Sequence, residues 1–177
     1  MTKNQPEQLI SRENILILPD IRSAQNVGAI FRTAEAVGIS KIYLTGFSPC
    51  PTDRFGKYRS DVAKSALGAE LIVPWEYKKS LPVLIKKLKQ EKYKIIAIEQ
   101  DKNSINYKNV KSGQKNAFIV GTEVTGIPKS ILKKCDVIAE IPMHGKLARN
   151  RLPDDVGKES LNVSVATGIA LFRILNI

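Results

Sequence analysis

Asn116-Ala-Phe-Ile-Val-Gly-Thr-Glu-Val-Thr-Gly126 is the segment from which the architecture of this chain is inferred. Residues 116–121 form an apolar, partly β-branched run that ends on a glycine, and this pattern predicts a buried strand. Thr122 and Glu123 then stand at the carboxyl end of that strand, which is the edge where ligands bind in α/β sheets. We therefore expect functional side chains directly after this strand.

The C-terminal third repeats this pattern and then becomes ambiguous. Residues 137–141 form a second short apolar strand, which Pro142 stops. The segment after Ser160 fits both an alternating strand and a helix with apolar residues at three- and four-residue intervals. Its small residues favour a buried helix packed closely against a neighbour, and we place Ser160 at the N-cap.

Strands and helices alternate along the rest of the chain. Apolar runs predict strands at 15–18, 41–45, 71–75 and 95–98. Amphipathic patterns predict helices at about 26–37, 61–67 and 80–92, and residues 100–114 are predicted to be irregular. This alternation predicts an α/β fold with a mostly parallel sheet and helices on both faces. We expect a single domain at 14–177 after a flexible lead-in at 1–13.

Bulk properties limit the classes of partner. The net charge of +11 suggests a polyanion, most simply nucleic acid, although a basic surface with no specific partner gives the same count. No apolar run approaches the ~20 residues of a membrane span, and the polar first 13 residues do not resemble a signal peptide. Cys50 and Cys135 favour a reduced, cytoplasmic compartment. His144 is the only histidine, so we predict no metal site.

The first predicted helix carries an amide and an arginine within two turns. Asn26 and Arg32 together form a fork that could hold a phosphate or a ribose. Each also has a structural explanation, because Asn26 suits a helix N-cap and Arg32 lies one position off the apolar face, as a solvated arginine would. Gly28 leaves the start of the helix open to close approach by a ligand.

Basic and aromatic residues are mixed in the long connection at 46–58 and just after it. Loops longer than ~12 residues tend to be functional or disordered, so a merely flexible loop remains an alternative. The mixture suits an RNA backbone with a stacked base. The predicted RNA-binding residues are Arg54, Lys57, Tyr58 and Arg59 of this connection, and Arg22 of the polar segment 20–25, which has the position of a substrate loop.

Four segments together resemble the signature motifs of the SpoU branch of the SPOUT RNA methyltransferases. They are Asn26-Val-Gly-Ala-Ile-Phe-Arg32, Gly121-Thr-Glu-Val-Thr-Gly126, Ile141-Pro-Met-His-Gly145 and Ser160-Leu-Asn-Val-Ser-Val-Ala166. The resemblance extends from about residue 14 to the C-terminus. It implies methyl transfer from S-adenosylmethionine to a ribose 2′-hydroxyl of tRNA or rRNA, a deep C-terminal trefoil knot, and a homodimer with the C-terminal helix in its interface.

The resemblance also implies roles for single residues. Arg32 matches the arginine beside the target hydroxyl, and because arginine stays protonated we expect it to stabilise the developing alkoxide rather than to act as a base. Asn26, Glu123, Ser160 and Asn162 complete the expected catalytic set. The expected S-adenosylmethionine contacts, made largely by backbone groups, are Gly121, Thr122, Ile141, Met143, Gly145 and Leu161.

One departure from the family pattern concerns the loop next to the expected cofactor site. Residues 147–157 lie between the third and fourth motifs, where relatives have only a few residues, and look like an insertion. An alternative function follows, a catalytically silent RNA-binding protein with an altered cofactor loop. A small-molecule methyltransferase or a nucleotide-binding domain is disfavoured by the charge and by the lack of a phosphate-binding loop.

Overall fold

The computed structural model describes residues 12–122, 124–145 and 160–177. Glu123, the predicted insertion at 147–157 and most of the predicted lead-in lie outside these described residues. The first strand begins at Glu13, one residue before the predicted start of the domain.

A parallel sheet of seven strands forms the centre of the described part of the chain. In chain order the strands are β1 (Glu13–Pro19), β2 (Lys41–Thr45), β3 (Trp75–Lys78), β4 (Lys94–Ile98), β5 (Ile105–Asn106), β6 (Lys115–Val120) and β7 (Val137–Glu140). Their order across the sheet is β3-β2-β1-β6-β4-β7-β5, and every pairing between them is parallel. The prediction of a mostly parallel α/β sheet is therefore confirmed.

Helices cover both faces of the sheet, as predicted. In chain order they are α1 (Ala24–Ala36), α2 (Ser60–Ala66), α3 (Ala69–Ile72), α4 (Leu81–Gln90), α5 (Lys129–Leu132) and α6 (Val163–Leu175). One apolar cluster joins α1, α2, α3 and α6 to one face, and a second joins α4 and α5 to the other. Alternate β1 residues supply them, since Leu16 and Leu18 belong to the first cluster and Ile15 and Ile17 to the second.

The helix α1 begins and ends through specific local contacts. The Ser23 hydroxyl oxygen accepts the Asn26 N–H at 3.2 Å, so Ser23 is the N-cap and Asn26 lies in the first turn. The end before Gly38 is confirmed, because Gly38 has a φ of +69° and Ile39 N–H donates back to the Ala34 carbonyl at 2.8 Å.

Gly28 serves a packing role rather than the ligand approach that the sequence suggested. A Cβ at this position would lie 2.2 Å from Ser65 Oγ and 2.4 Å from the Val62 carbonyl oxygen. Both contacts belong to α2, so the missing side chain lets α1 and α2 pack closely against each other. The prediction of an open helix start at Gly28 was wrong.

Three other local predictions were wrong. Residues 71–75 are not a strand: Leu71 and Ile72 are exposed and end α3, whereas the strand begins at Trp75. The segment 100–114 contains β5 and a 3-10 turn at Tyr107–Asn109. Finally, the N-cap of α6 is Asn162 and not Ser160. No helix among the described residues is long and apolar enough to cross a membrane.

Candidate active site

A cavity of about 530 Å³ opens at the carboxyl edge of the sheet. Ile98, Val120 and Ala139, at the ends of β4, β6 and β7, form its floor, and the segments that follow these strands form its walls. Five of the six expected cofactor contacts line it, namely Gly121, Thr122, Ile141, Met143 and Leu161. Ser160 and Asn162 line it as well, whereas Gly145 is exposed and does not.

A tight turn after β6 forms one wall of this cavity. Thr122 and Gly126 exchange backbone hydrogen bonds of 3.4 and 3.2 Å, and the Thr122 hydroxyl oxygen accepts the Thr125 N–H at 3.1 Å. Gly126 has a φ of +64°, a conformation that favours glycine. The motif that begins at Gly121 and ends at Gly126 therefore forms a turn that is held by backbone hydrogen bonds.

Glu99, directly after β4, holds this turn and was not predicted. Its Oε2 accepts the Ile127 N–H at 2.8 Å, and its Oε1 accepts the Gln100 N–H at 2.9 Å. The carboxylate also packs against both glycines, because a Cβ on Gly121 would lie 2.3 Å from Oε2 and a Cβ on Gly126 would lie 2.5 Å from it. The only sequence signal was a glutamate that ends a buried strand.

Burial controls the acidity of Glu99. Desolvation raises the pKa of this carboxyl above its ordinary value, and Asp101 and Glu140 add to the effect, while its two backbone hydrogen bonds act in the opposite direction. Glu99 is therefore a half-buried acid that lines the cavity and packs against the two glycines of the turn.

The first and fourth motifs meet through a hydrogen bond between two asparagines. Asn162 Nδ2 donates to Asn26 Oδ1 at 3.1 Å, although the residues are 136 positions apart in the chain. The other side-chain atom of Asn162, Oδ1, accepts the N–H and hydroxyl of Ser164 at 2.9 and 2.6 Å and so caps α6. Asn162 thus joins the start of α1 to the start of α6 at the rim of the cavity.

Arg32 is exposed on α1, near the packing of this helix against α6. Among the residues that the structure describes, its guanidinium has no hydrogen bond or ion pair. A guanidinium with no bonded partner among these residues is available to an anionic ligand, and no hydrogen bond joins Arg32 to Asn26 or Asn162 in the described part of the chain.

The predicted RNA-binding residues of the long connection differ in their surroundings. Arg54, Lys57 and Tyr58 are exposed. The Arg59 guanidinium instead forms a two-pronged ion pair with Asp61, with distances of 3.1 and 2.6 Å. Arg22 is exposed and lies two residues before α1.

Metal ligands do not gather in the described residues, where no group of three or more histidine, cysteine or acidic side chains is placed to hold an ion. Cys50 and Cys135 are free thiols, and burial raises the pKa of Cys135 to about 11.

The sequence model of the SpoU rRNA methylase family matches residues 13–172, a range that includes the motifs around the cavity. The chain belongs to this family. It is 28% identical over 177 residues to the 23S rRNA (guanosine-2′-O-)-methyltransferase RlmB of Pseudomonas aeruginosa, covering 98% of this chain and 64% of that protein. It is 29% identical over 161 residues to the tRNA (guanosine(18)-2′-O)-methyltransferase of Borreliella burgdorferi, covering 90% of this chain and 64% of that protein.

Two solved structures have the same fold as this chain. The TrmH/SpoU tRNA modifying enzyme of A. aeolicus superimposes with a TM-score of 0.75 at 25% identity, over 94% of this chain and 77% of that one. The AdoMet-bound rRNA methyltransferase of Sinorhizobium meliloti gives a TM-score of 0.78 at 24% identity, over 93% of this chain and 56% of that one. The chain spans 57–64% of the length of curated relatives that it matches.

Proposed function

We propose that this SpoU-family chain methylates a ribose 2′-hydroxyl in tRNA or rRNA and takes the methyl group from S-adenosylmethionine. The observation that carries the proposal is the hydrogen bond between Asn26 and Asn162, because it joins the motif expected to face RNA to the cavity expected to hold the donor. The names of the relatives support the same reaction.

The cavity suits a nucleoside-sized donor. Its volume of about 530 Å³ falls within the range of ~300–1,000 Å³ that is typical of small-molecule sites. Gly121 and Gly126 line the cavity with backbone, and their missing side chains leave room for the Glu99 carboxylate behind the turn. The proposed holding groups are Gly121, Thr122, Ile141, Met143 and Leu161. When bound, S-adenosylmethionine supplies a methyl group activated by a sulfonium.

The acceptor side of the site is the part that binds the ribose to be methylated. Positive charge is needed there, because the ribose 2′-oxygen becomes an alkoxide as its proton leaves. Arg32 supplies it, because an arginine keeps its proton and can stabilise an oxyanion without acting as a base. The ribose proton then leaves to a neighbouring phosphate or to water. Asn26, Ser160 and Asn162 orient the acceptor next to the donor cavity, and Glu123 is proposed to hold the arginine in position.

The proposal includes a homodimer formed through α6. Val165, Ile169 and Phe172 recur along this helix at intervals of four and three residues and are 48%, 38% and 42% exposed. This apolar stripe supports an interface, because exposing it to water is unfavourable. Ile174 and Leu175 at the end of the same helix do not belong to this stripe, because they are buried in the chain's own core. The family's trefoil knot and a cytoplasmic location, which the two free thiols favour, are part of the same proposal.

Methyl transfer to cellular RNA tests the function. Purified protein is incubated with tRNA or rRNA and isotopically labelled S-adenosylmethionine, and the digested RNA is searched for 2′-O-methylnucleosides by mass spectrometry. We expect Arg32→Ala to abolish the product while calorimetry shows unchanged donor binding. Lys86→Ala, which removes one positive charge from the exposed face of α4, is the matched control and should keep full activity.

Two results would contradict the proposal. Loss of donor affinity equal to the loss of activity in Arg32→Ala would remove the arginine from the acceptor side. RNA binding without any binding of S-adenosylmethionine would favour the silent RNA-binding protein. Deletion of residues 147–157 then tests the insertion, and we expect the deletion to tighten donor binding because less chain must be ordered around the cofactor.

A further inference from the structure

Two phenylalanines of the connection between β2 and α2 are displayed to solvent. Phe47 is 87% exposed and Phe55 is 79% exposed, which makes them the most exposed large hydrophobic side chains among the described residues. Tyr58 of the same connection is 65% exposed. One connection therefore exposes three aromatic side chains, whose apolar faces water solvates poorly.

A network of hydrogen bonds fixes the backbone that carries these rings. Asp53 Oδ1 accepts the N–H groups of Phe55 and Lys57 at 2.8 and 3.0 Å, and the Asp53 N–H donates to the Lys57 carbonyl at 2.9 Å. Thr52 and Tyr58 form an antiparallel bridge that closes this turn. The alternative of a merely flexible loop does not account for such a turn, which holds Phe55 at its tip.

A separate hydrogen bond holds the backbone of Phe47 next to the segment that leads to Asn26. Asp20 Oδ1 accepts the Phe47 N–H at 3.0 Å, and a Cβ on Gly46 would lie 1.9 Å from the same oxygen. Asp20 directly follows β1 and begins the segment that leads to α1 and Asn26. Because β1 and β2 are parallel neighbours, Phe47 lies at the same carboxyl edge of the sheet as the cavity.

Cationic groups accompany the exposed rings. The Arg54 guanidinium lies over the Phe55 ring at 4.7 Å from its centroid, and Lys57 is exposed two residues further on. A flat ring beside a guanidinium and an ammonium group matches a nucleotide, whose base stacks on aromatic faces and whose phosphate pairs with cations. The net charge of +11 favours this partner over another apolar protein surface.

We propose that Phe47 and Phe55 form a stacking platform for unpaired bases of the substrate RNA beside the target ribose. This inference rests on the proposed function and gives its substrate a specific property, a single-stranded loop whose bases are turned outward. Single-stranded loops are the part of RNA that proteins read by stacking, since the bases of a duplex are inaccessible.

Two RNA hairpins with identical stems provide the test. One has a loop of seven nucleotides with bases, and the other has the same loop with abasic nucleotides, so both keep every phosphate. Fluorescence anisotropy of labelled hairpins gives the dissociation constants. We expect Phe47→Leu and Phe55→Leu each to weaken binding of the base-containing loop about tenfold, a value within the range measured for one stacked base, and to leave binding of the abasic loop unchanged.

Three controls make the result specific. Phe47→Trp and Phe55→Trp keep an aromatic face and should restore binding of the base-containing loop. Leu71→Ala removes an exposed apolar side chain from α3, outside this connection, and should leave both affinities unchanged. Equal losses of affinity for the two hairpins, or no loss in either leucine variant, would overturn the stacking platform.

Two further measurements separate this inference from the proposed function. If wild-type protein methylates RNA but the leucine variants bind both hairpins normally, only the platform is wrong. If wild-type protein neither binds S-adenosylmethionine nor methylates RNA, the proposed function itself fails. A change in mass of the leucine variants by light scattering would assign the rings to a contact between copies of the chain and would also overturn the platform.

Discussion

Asn162 performs two separable tasks, and its substitution can measure each of them. Its Oδ1 accepts the Ser164 N–H at 2.9 Å and caps α6, while its Nδ2 donates to Asn26 Oδ1 at 3.1 Å. Asn162→Ala removes both contacts. Asn162→Ser keeps a good N-cap oxygen, but its shorter side chain loses the contact with Asn26.

The expected losses of stability follow from these contacts. An N-cap contributes about 1 kcal/mol, and a hydrogen bond between neutral groups contributes about 1 kcal/mol. We therefore expect Asn162→Ala to lower the free energy of unfolding by about 2 kcal/mol and Asn162→Ser by about 1 kcal/mol. In a chain of this length, each kcal/mol corresponds to a decrease in Tm of about 2–4 °C.

Urea denaturation followed by circular dichroism measures these values, and a double-mutant cycle isolates the bond between the asparagines. Asn26→Ala should cost at least about 1 kcal/mol, and adding Asn162→Ser to it should cost almost nothing more. Strictly additive losses in the double variant would refute the proposed link between the first and fourth motifs. Equal stability of Asn162→Ala and Asn162→Ser would refute the capping role.

Three more predictions concern the turn and the dimer. Because burial raises the pKa of Glu99, the folded protein should lose stability as the pH rises from the ordinary value of 4.5 through the folded pKa, and urea titrations should show this loss reduced in Glu99→Gln. Gly121→Ala, whose Cβ would lie 3.1 Å from Gly126 Cα as well as against Glu99, should cost about 1–3 kcal/mol. Calorimetry should also show weaker S-adenosylmethionine binding in this variant, whereas Gly113→Ala, with its nearest neighbour at 3.7 Å, should change neither property. Ile169→Glu places a charge in the apolar stripe of α6 and should reduce the mass measured by light scattering to that of one 19.6 kDa chain.

The buried strands could be predicted because each is a continuous apolar run. The predicted strands at 15–18, 41–45 and 95–98 lie within β1, β2 and β4 of the structure, and the predicted strand at 116–121 extends one residue beyond the end of β6. These strands are covered on both faces, so their burial does not depend on which helix lies nearby. Helix α1 was also predictable, since its apolar face and the glycine after it are local features.

Predictions failed where polar side chains near the start of a helix form hydrogen bonds that the apolar pattern does not reveal. The apolar residues Leu71 and Ile72 suggested a strand, but the Glu70 carboxylate accepts the Gly68 N–H at 3.0 Å and helps to start a helical turn there. Asn26 has good N-cap chemistry, yet Ser23 takes that position and leaves the Asn26 amide for Asn162. The hydrogen bond between Asn26 and Asn162 spans 136 positions and is a tertiary contact, which a single sequence does not display.

The candidate site depends on the order of the strands more than on any one motif. The cavity lies at the ends of β4, β6 and β7, whereas Asn26 follows β1. Because β1 pairs with β6, the segment that carries Asn26 reaches the rim of the cavity, and the start of α6 spans the remaining distance through Asn162.

Met143 and Ser160 also line the cavity, so both ends of the segment with the predicted insertion are fixed at its wall. A change in length between these ends costs little closure entropy, about 0.6 kcal/mol for each doubling. A change in the length of this segment should therefore have little effect on folding. It should instead affect function, because the segment connects two residues of the cavity wall.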